Sequence, residues 1–164
     1  MDEYQVDSRN RLMMRFIPDD EEDLCRLAVE AATDGFSGVS TAWFNTSKLI
    51  EFASTLDAFP LTEHDRHSIS SGLTPQSGEH GGVYFEMVGV RIHPVGVRGQ
   101  VGVLVHLSTG PDQMTNQMTL KRPRGEVHLE LLTTYERTRL FGDHLLRMIQ
   151  GEFSEAEIGG EILF

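Results

Sequence analysis

The sequence predicts an α+β fold in which a mostly antiparallel β-sheet carries two helices packed on one face. Short segments of alternating apolar and polar residues fill the second half of the chain, and the gaps between them are too short for helical crossovers. Two other segments place apolar residues at helical spacing. One side of each late strand is polar, as in a sheet that faces water or a partner.

Length and composition favour one globular domain spanning residues 1–164. Hydrophobic residues make up 39% of the chain and charged residues 24%, which argues against a disordered protein. The single cysteine, Cys25, excludes an internal disulfide and a four-thiolate zinc site. No apolar run reaches the ~18 residues of a membrane helix. Because Met1–Tyr4 also lacks a signal-peptide pattern, we expect a cytoplasmic protein.

Three strands are predicted in the first half of the chain. Residues 10–17 alternate in polarity, and Pro18 ends that strand. Residues 24–33 fit a helix by their alanine and glutamate content and a strand by their neighbours, and we choose the strand. Residues 36–45 follow the turn signal at Asp34 and are rich in Ser, Thr and Val, as in a strand.

Two helices follow from apolar spacing and capping residues. The first covers residues 46–59, with its apolar stripe on Leu49, Phe52, Ala53, Leu56 and Phe59. Trp43, just before it, fits a core anchor better than an exposed binding residue. The second helix begins after the capping box Thr133–Glu136 and ends at Gly151, and Gly142 weakens it by about 1 kcal/mol.

The late strands alternate over residues 83–87, 90–92, 101–107 and 127–131. Before them, the polar, glycine-containing stretch 62–82 reads as a long loop, either a surface loop or the functional one. After them, the acidic tail 152–164 ends in Ile162-Leu163-Phe164, which suggests a docked segment.

The charge balance limits the possible partners. Fourteen Lys and Arg residues face 25 Asp and Glu residues, giving a net charge of −11, so nucleic acids and membranes are disfavoured. A basic protein partner is compatible with such a surface. The densest acidic stretch is either a solvated turn or the rim of a partner-binding face: Asp19, Asp20, Glu21, Glu22 and Asp23.

Catalytic and metal-binding motifs are weak. There is no Gly-x-Ser-x-Gly elbow and no glycine-rich phosphate loop after a strand, so no catalytic residue is assigned and no cofactor is expected. His64 and His67 fall in the predicted loop, where their spacing fixes no common face. On strands, three histidines lie opposite the apolar set and can share the polar face: His93, His106 and His128. Without four ligands spaced for a closed site, we expect no structural metal.

Several short motifs resemble WapI-type bacterial immunity proteins in order and spacing. The series Asp34-Gly35-Phe36-Ser37-Gly38, Ala42-Trp43-Phe44 and a helix over 49–56 is similar to the start of that family. Tyr84-Phe85-Glu86, Gly99-Gln100-Val101-Gly102-Val103 and the segment 127–149 resemble its second half. The resemblance implies a small, non-enzymatic, cytoplasmic antidote that binds and neutralises a cognate toxin domain. Some of the toxins neutralised by this family are nucleases.

Three functions therefore remain open. The first is an immunity-type protein that engages a basic toxin through the acidic run or through the exposed sheet face around Tyr84, Glu86, His106 and His128. The second is a small enzyme or ligand-binding domain with a pocket under residues 62–82. The third is a structural protein that forms homodimers or larger homo-oligomers.

Overall fold

The computed structural model describes residues 10–62, 67–73, 85–109 and 123–160, and it confirms the α+β class. The described residues form eight strands and two helices, in the following order. They are β1 (Arg11–Pro18), β2 (Leu24–Thr33), β3 (Phe36–Asn45), α1 (Thr46–Ser54), β4 (Ser68–Leu73), β5 (Phe85–Val95), β6 (Gln100–Ser108), β7 (Glu126–Thr134), α2 (Tyr135–Ile149) and β8 (Glu155–Gly159).

In the described part of the chain, these strands make two four-stranded antiparallel sheets where one sheet was expected. The first sheet has the order β3-β2-β1-β8, and the second has the order β4-β5-β6-β7. The chain moves from the first sheet to the second after α1 and returns after α2. Alternating polarity identifies strands but not sheet membership, which is why the division was missed.

The core lies between the inner faces of the two sheets and the helices. Each helix contacts strands of both sheets, and α1 and α2 contact each other. They cross at Gly142, where an added Cβ would lie 2.8 Å from the Ala53 carbonyl oxygen, so the small residue permits the close approach. Neither described helix, of 9 and 15 residues, is long and apolar enough to cross a membrane.

Several predicted elements are confirmed. Residues 24–33 form a strand, and Cys25, Leu27, Val29 and Ala31 alternate into the core. The second helix also begins near its predicted start, but the predicted capping box is displaced by one residue: Thr134 caps α2 by accepting a hydrogen bond from the Arg137 N–H at 3.2 Å, whereas the Thr133 hydroxyl donates to the Gly159 carbonyl oxygen at 3.1 Å. In the acidic tail, β8 pairs with β1 as expected of a docked segment, whereas residues 161–164 lie outside the described residues.

Two predictions about the middle of the chain are wrong. The stretch 62–82 was predicted to be a loop but contains β4, which pairs with β5. Only Ile69 of this polar edge strand is buried, so its sequence carries little strand signal. Residues 85–95 form one strand, not the two predicted over 83–87 and 90–92.

Two aromatic side chains also lie elsewhere than predicted. Trp43 is 50% exposed, because its neighbours Ala42 and Phe44 face the core and successive strand residues point to opposite faces. The helix predicted to extend to residue 59 ends at Ser54, and Phe59 is 81% exposed with its ring edge-on to Tyr135. The rest of the predicted stripe is buried: Leu49, Phe52, Ala53 and Leu56.

Candidate functional sites

The outer face of the second sheet brings together two histidines and two glutamates, which we call the histidine cluster: Glu86, His106, Glu126 and His128. His106 on β6 lies directly opposite His128 on β7 in the strand register. Their rings stack with centroids 4.1 Å apart and planes inclined by 3°. Glu126 precedes His128 by two residues and therefore shares its face.

His106 lies between two carboxylates. Its Nδ1 is 2.7 Å from Glu86 Oε1, and its Nε2 is 3.0 Å from Glu126 Oε2. The same Glu126 oxygen is 3.8 Å from His128 Nε2. His106 is partly buried, whereas the His128 side chain is 71% exposed, so the cluster opens to solvent on the β7 side.

A β-bulge aims Glu86 at His106. The β4–β5 register passes from Ser71–Val88 to Gly72–Glu86, so β5 has one extra residue there. Without it, the pleat would place Glu86 on the core side with Val88. The Glu86 carboxylate instead accepts a hydrogen bond from the Ser70 hydroxyl and lies against Gly89, where an added Cβ would be 2.2 Å from Glu86 Oε1.

A groove of about 520 Å³ runs along this face, and three members of the histidine cluster line it: Glu86, His106 and His128. Its volume falls in the range of small-molecule sites, roughly 300–1,000 Å³. Ser68 and Ser70 of β4 form one side, and Arg91 and Glu130 extend the polar lining. His93 lies farther along the face, with its Nε2 3.5 Å from Glu130 Oε1.

The acidic run forms the turn between β1 and β2. Asp20, Glu21 and Glu22 are exposed, and Asp19 accepts a hydrogen bond from the Glu21 N–H at 3.3 Å. We call the segment Asp19–Glu22 the acidic turn. It lies at the end of the first sheet where β1 and β2 are joined.

Asp23 differs from the other four residues of the predicted partner-binding run, because its side chain binds the start of α1. Its carboxylate accepts hydrogen bonds from the Ser47 backbone N–H at 2.7 Å and the Ser47 hydroxyl at 2.8 Å. It thereby caps the start of α1 from outside the helix, although its own φ of 57° is in the left-handed region. The Ser47 backbone and hydroxyl hydrogen bonds lower the pKa of the Asp23 carboxyl.

Next to the acidic turn, a row of outward residues crosses the first sheet. Trp43 pairs with Arg26, and Arg26 pairs with Ile17. Trp43 is 50% and Ile17 42% exposed, and two strand spacings separate their backbones by about 10 Å. We call these three residues the Trp43 row. The alternation of β3 around Trp43 was the signal that could have revealed this surface from sequence.

The remaining predicted site residues do not join these surfaces. Tyr84 and His64 lie outside the described residues. His67 is buried, and its Nε2 accepts a hydrogen bond from the Thr62 N–H at 3.3 Å, so it is a packed residue rather than a solvated loop histidine. Cys25 is also buried, and burial raises the pKa of its thiol.

Comparison of the chain with protein-family models, curated proteins and solved structures finds no match. The resemblance to WapI-type immunity proteins thus stays a prediction from sequence motifs.

Proposed function

We propose that this chain is a non-enzymatic, immunity-type protein that binds a basic toxin domain through the acidic turn and the Trp43 row. The observation that carries the proposal is an exposed tryptophan toward the same end of the first sheet as three exposed acidic side chains. Tryptophan is enriched among the residues that dominate binding energies, and such residues lie at interface centres with polar groups around them.

Charge supports a basic partner. The chain has a net charge of −11, and the acidic turn concentrates negative charge at one end of the first sheet. Such a field accelerates encounter with a positively charged partner and weakens as salt is added. Arg26, between Trp43 and Ile17, gives the partner's acidic or aromatic groups a cationic contact.

The test uses the basic toxin domain that this proposal predicts to be encoded beside the chain's gene. Association and dissociation rates are measured at low and moderate salt for the parent, for Trp43→Ala and for the triple variant D20N/E21Q/E22Q. Asp23 is kept because it caps α1. A matched triple variant, E51Q/D57N/E152Q, removes the same number of exposed negative charges elsewhere.

We expect Trp43→Ala to weaken binding mainly through faster dissociation, by about 2 kcal/mol or more. The acidic-turn variant should associate more slowly and with a smaller salt dependence, whereas the matched variant should resemble the parent. Equal association rates for the parent and both charge variants would contradict this surface, and so would a toxin affinity that does not change in Trp43→Ala. So would a parent homodimer that Trp43→Ala converts to monomer in sedimentation, since the row would then contact a second copy.

A ligand-binding domain is the second candidate, because the groove beside β4 has the volume of a small-molecule site. Thermal shifts of the parent and of His106→Gln against a panel of small anionic and polar metabolites would test it. A ligand that stabilises the parent but not the variant would favour this function.

A further inference from the structure

We propose that the histidine cluster binds one late first-row divalent metal ion, with Zn²⁺ as its reference ligand. The ligands are His106 Nε2, His128 Nε2 and a Glu126 carboxylate oxygen. Their ligand atoms all lie within 4.8 Å of one another. The proposal concerns a different sheet from the Trp43 row and does not depend on toxin binding.

The donor set suits such an ion. Zn²⁺ takes imidazole nitrogen and carboxylate oxygen at about 2.0–2.1 Å, which places tetrahedral donors about 3.3 Å apart. Glu126 Oε2 is 3.0 Å from His106 Nε2 and 3.8 Å from His128 Nε2, values on either side of that spacing. Imidazole and carboxylate together favour Zn²⁺, Cu²⁺ or Ni²⁺ over Mg²⁺ and Ca²⁺, which prefer oxygen ligands alone.

Glu86 supplies the support that metal-bound histidines commonly have. A proton on His106 Nδ1 lets that nitrogen donate to Glu86 Oε1 at 2.7 Å, which leaves the Nε2 lone pair for a metal. Glu86 is itself held by the Ser70 hydroxyl. The bulge and Gly89 are what allow this carboxylate to reach the ring.

The site is open rather than closed. Three ligands come from two adjacent strands, and the His128 side chain is 71% and the Glu126 side chain 48% exposed. A fourth position therefore faces solvent, as in metal sites that keep water or bind an external group. No structural metal was expected from the sequence, because a closed site needs four ligands at suitable spacing along the chain. In the folded chain, strand register brings three ligands together.

The experiment is calorimetric titration of ZnCl₂ into the untagged 164-residue chain, without chelating buffer. Variants are His106→Gln, His128→Gln and Glu126→Gln, with Glu86→Gln for the supporting group. His144→Gln is the matched control, because His144 lies on α2 against Phe153. Because the His128 side chain is exposed, His128→Gln should not unfold the protein, so weaker zinc binding by this variant reports the loss of a ligand. Circular dichroism of each variant checks that it is folded.

We expect one Zn²⁺ per chain, bound with a dissociation constant well below about 1 mM. Loss of any ligand should weaken binding more than the roughly 10–100-fold typical of outer-shell substitutions, and Glu86→Gln should fall within that range. His144→Gln should bind as the parent does. Ring ¹⁵N NMR should show zinc-dependent shifts at Nε2 of His106 and His128, with the proton retained on His106 Nδ1.

Two results would overturn the proposal. One is the absence of saturable binding by the parent below about 1 mM. The other is parent-like affinity in His128→Gln, which would assign any bound zinc to other residues. Neither result bears on the Trp43 row, because toxin binding is a separate measurement on the other sheet, and adding a chelator to it keeps zinc out of the comparison.

Discussion

Gly89→Ala is expected to detach Glu86 from His106 while leaving the sheet intact. The new Cβ would lie 2.2 Å from Glu86 Oε1 and 2.4 Å from its Cδ, so these atoms must move apart by about 1 Å. The carboxylate is the far end of a flexible side chain, whereas Gly89 is fixed in the register opposite His106. The side chain should therefore move and the strand should not.

The free-energy change follows from two opposing effects. Losing the partly exposed Glu86–His106 hydrogen bond costs about 1 kcal/mol. Replacing glycine within a strand returns about 0.5–1 kcal/mol, because alanine loses less conformational entropy on folding. The free energy of unfolding should therefore change by less than about 1 kcal/mol, although the environment of the His106 ring changes.

Urea denaturation and ring ¹⁵N NMR test both statements. Gly102→Ala is the matched control: its Cβ would be 2.5 Å from His93 Nε2, so it displaces a side chain on the same face away from His106. Gly89→Ala should shift the His106 ring nitrogens as Glu86→Ala does, and it should add nothing in the Glu86→Ala background. A cost above about 2 kcal/mol, or unchanged His106 signals, would refute the reasoning, because the backbone would then have moved instead.

Three further substitutions test the core and the capping of α1. Leu56→Ala, at a residue 1% exposed, should cost about 2–5 kcal/mol by leaving a cavity, and a denaturant melt showing less than ~1 kcal/mol would place Leu56 outside the core. Gly142→Ala gains about 1 kcal/mol of helix propensity but overpacks the α1–α2 crossing, which costs about 1–3 kcal/mol, so melts should show a net loss. Asp23→Asn should flatten the acid side of the stability–pH curve. Because the pKa of the Asp23 carboxyl is lowered from its ordinary value of 3.8 by folding, the ionised carboxylate stabilises the folded state at pH values above 3.8, and this contribution is lost as the pH falls through the folded-state pKa. An unchanged acid limb would show that Ser47 does not hold the carboxylate.

Polarity alternation predicted most of the fold because the strands each bury one face. The strand 24–33 shows this, since its three alanines and Glu30 favour a helix, yet the register with β1 and β3 determines its conformation. Where that burial is slight, as in β4, prediction failed. Trp43 was predicted to lie in the core because large aromatic residues usually do, although its position between Ala42 and Phe44 indicated the outer face.

The histidine cluster was predictable only in part. His106 and His128 were expected on a polar sheet face, and alternation places them there. Their pairing across β6 and β7 depends on register, which a single sequence does not specify when no tight turn fixes it. Glu86 reaches the outer face through a bulge, which the sequence does not reveal. Glu126 is in the cluster because β7 begins at this residue, one position before the start of the predicted strand.

The two proposed sites lie on different sheets but meet along β4. The Ser71 hydroxyl donates to the Trp43 carbonyl oxygen, and the neighbouring Ser70 hydroxyl donates to Glu86. Adjacency alone does not couple two sites, because coupling requires a ligand to favour one of two arrangements of the shared element. Trp43→Ala removes a side chain but leaves the carbonyl that Ser71 contacts, so β4 should keep its place. We therefore expect the zinc affinity of Trp43→Ala to equal that of the parent. A difference of fivefold or more, on the order of 1 kcal/mol, would show that the two surfaces are coupled. Toxin binding would then be measured with and without zinc, since any effect of zinc on toxin affinity must equal the effect of the toxin on zinc affinity.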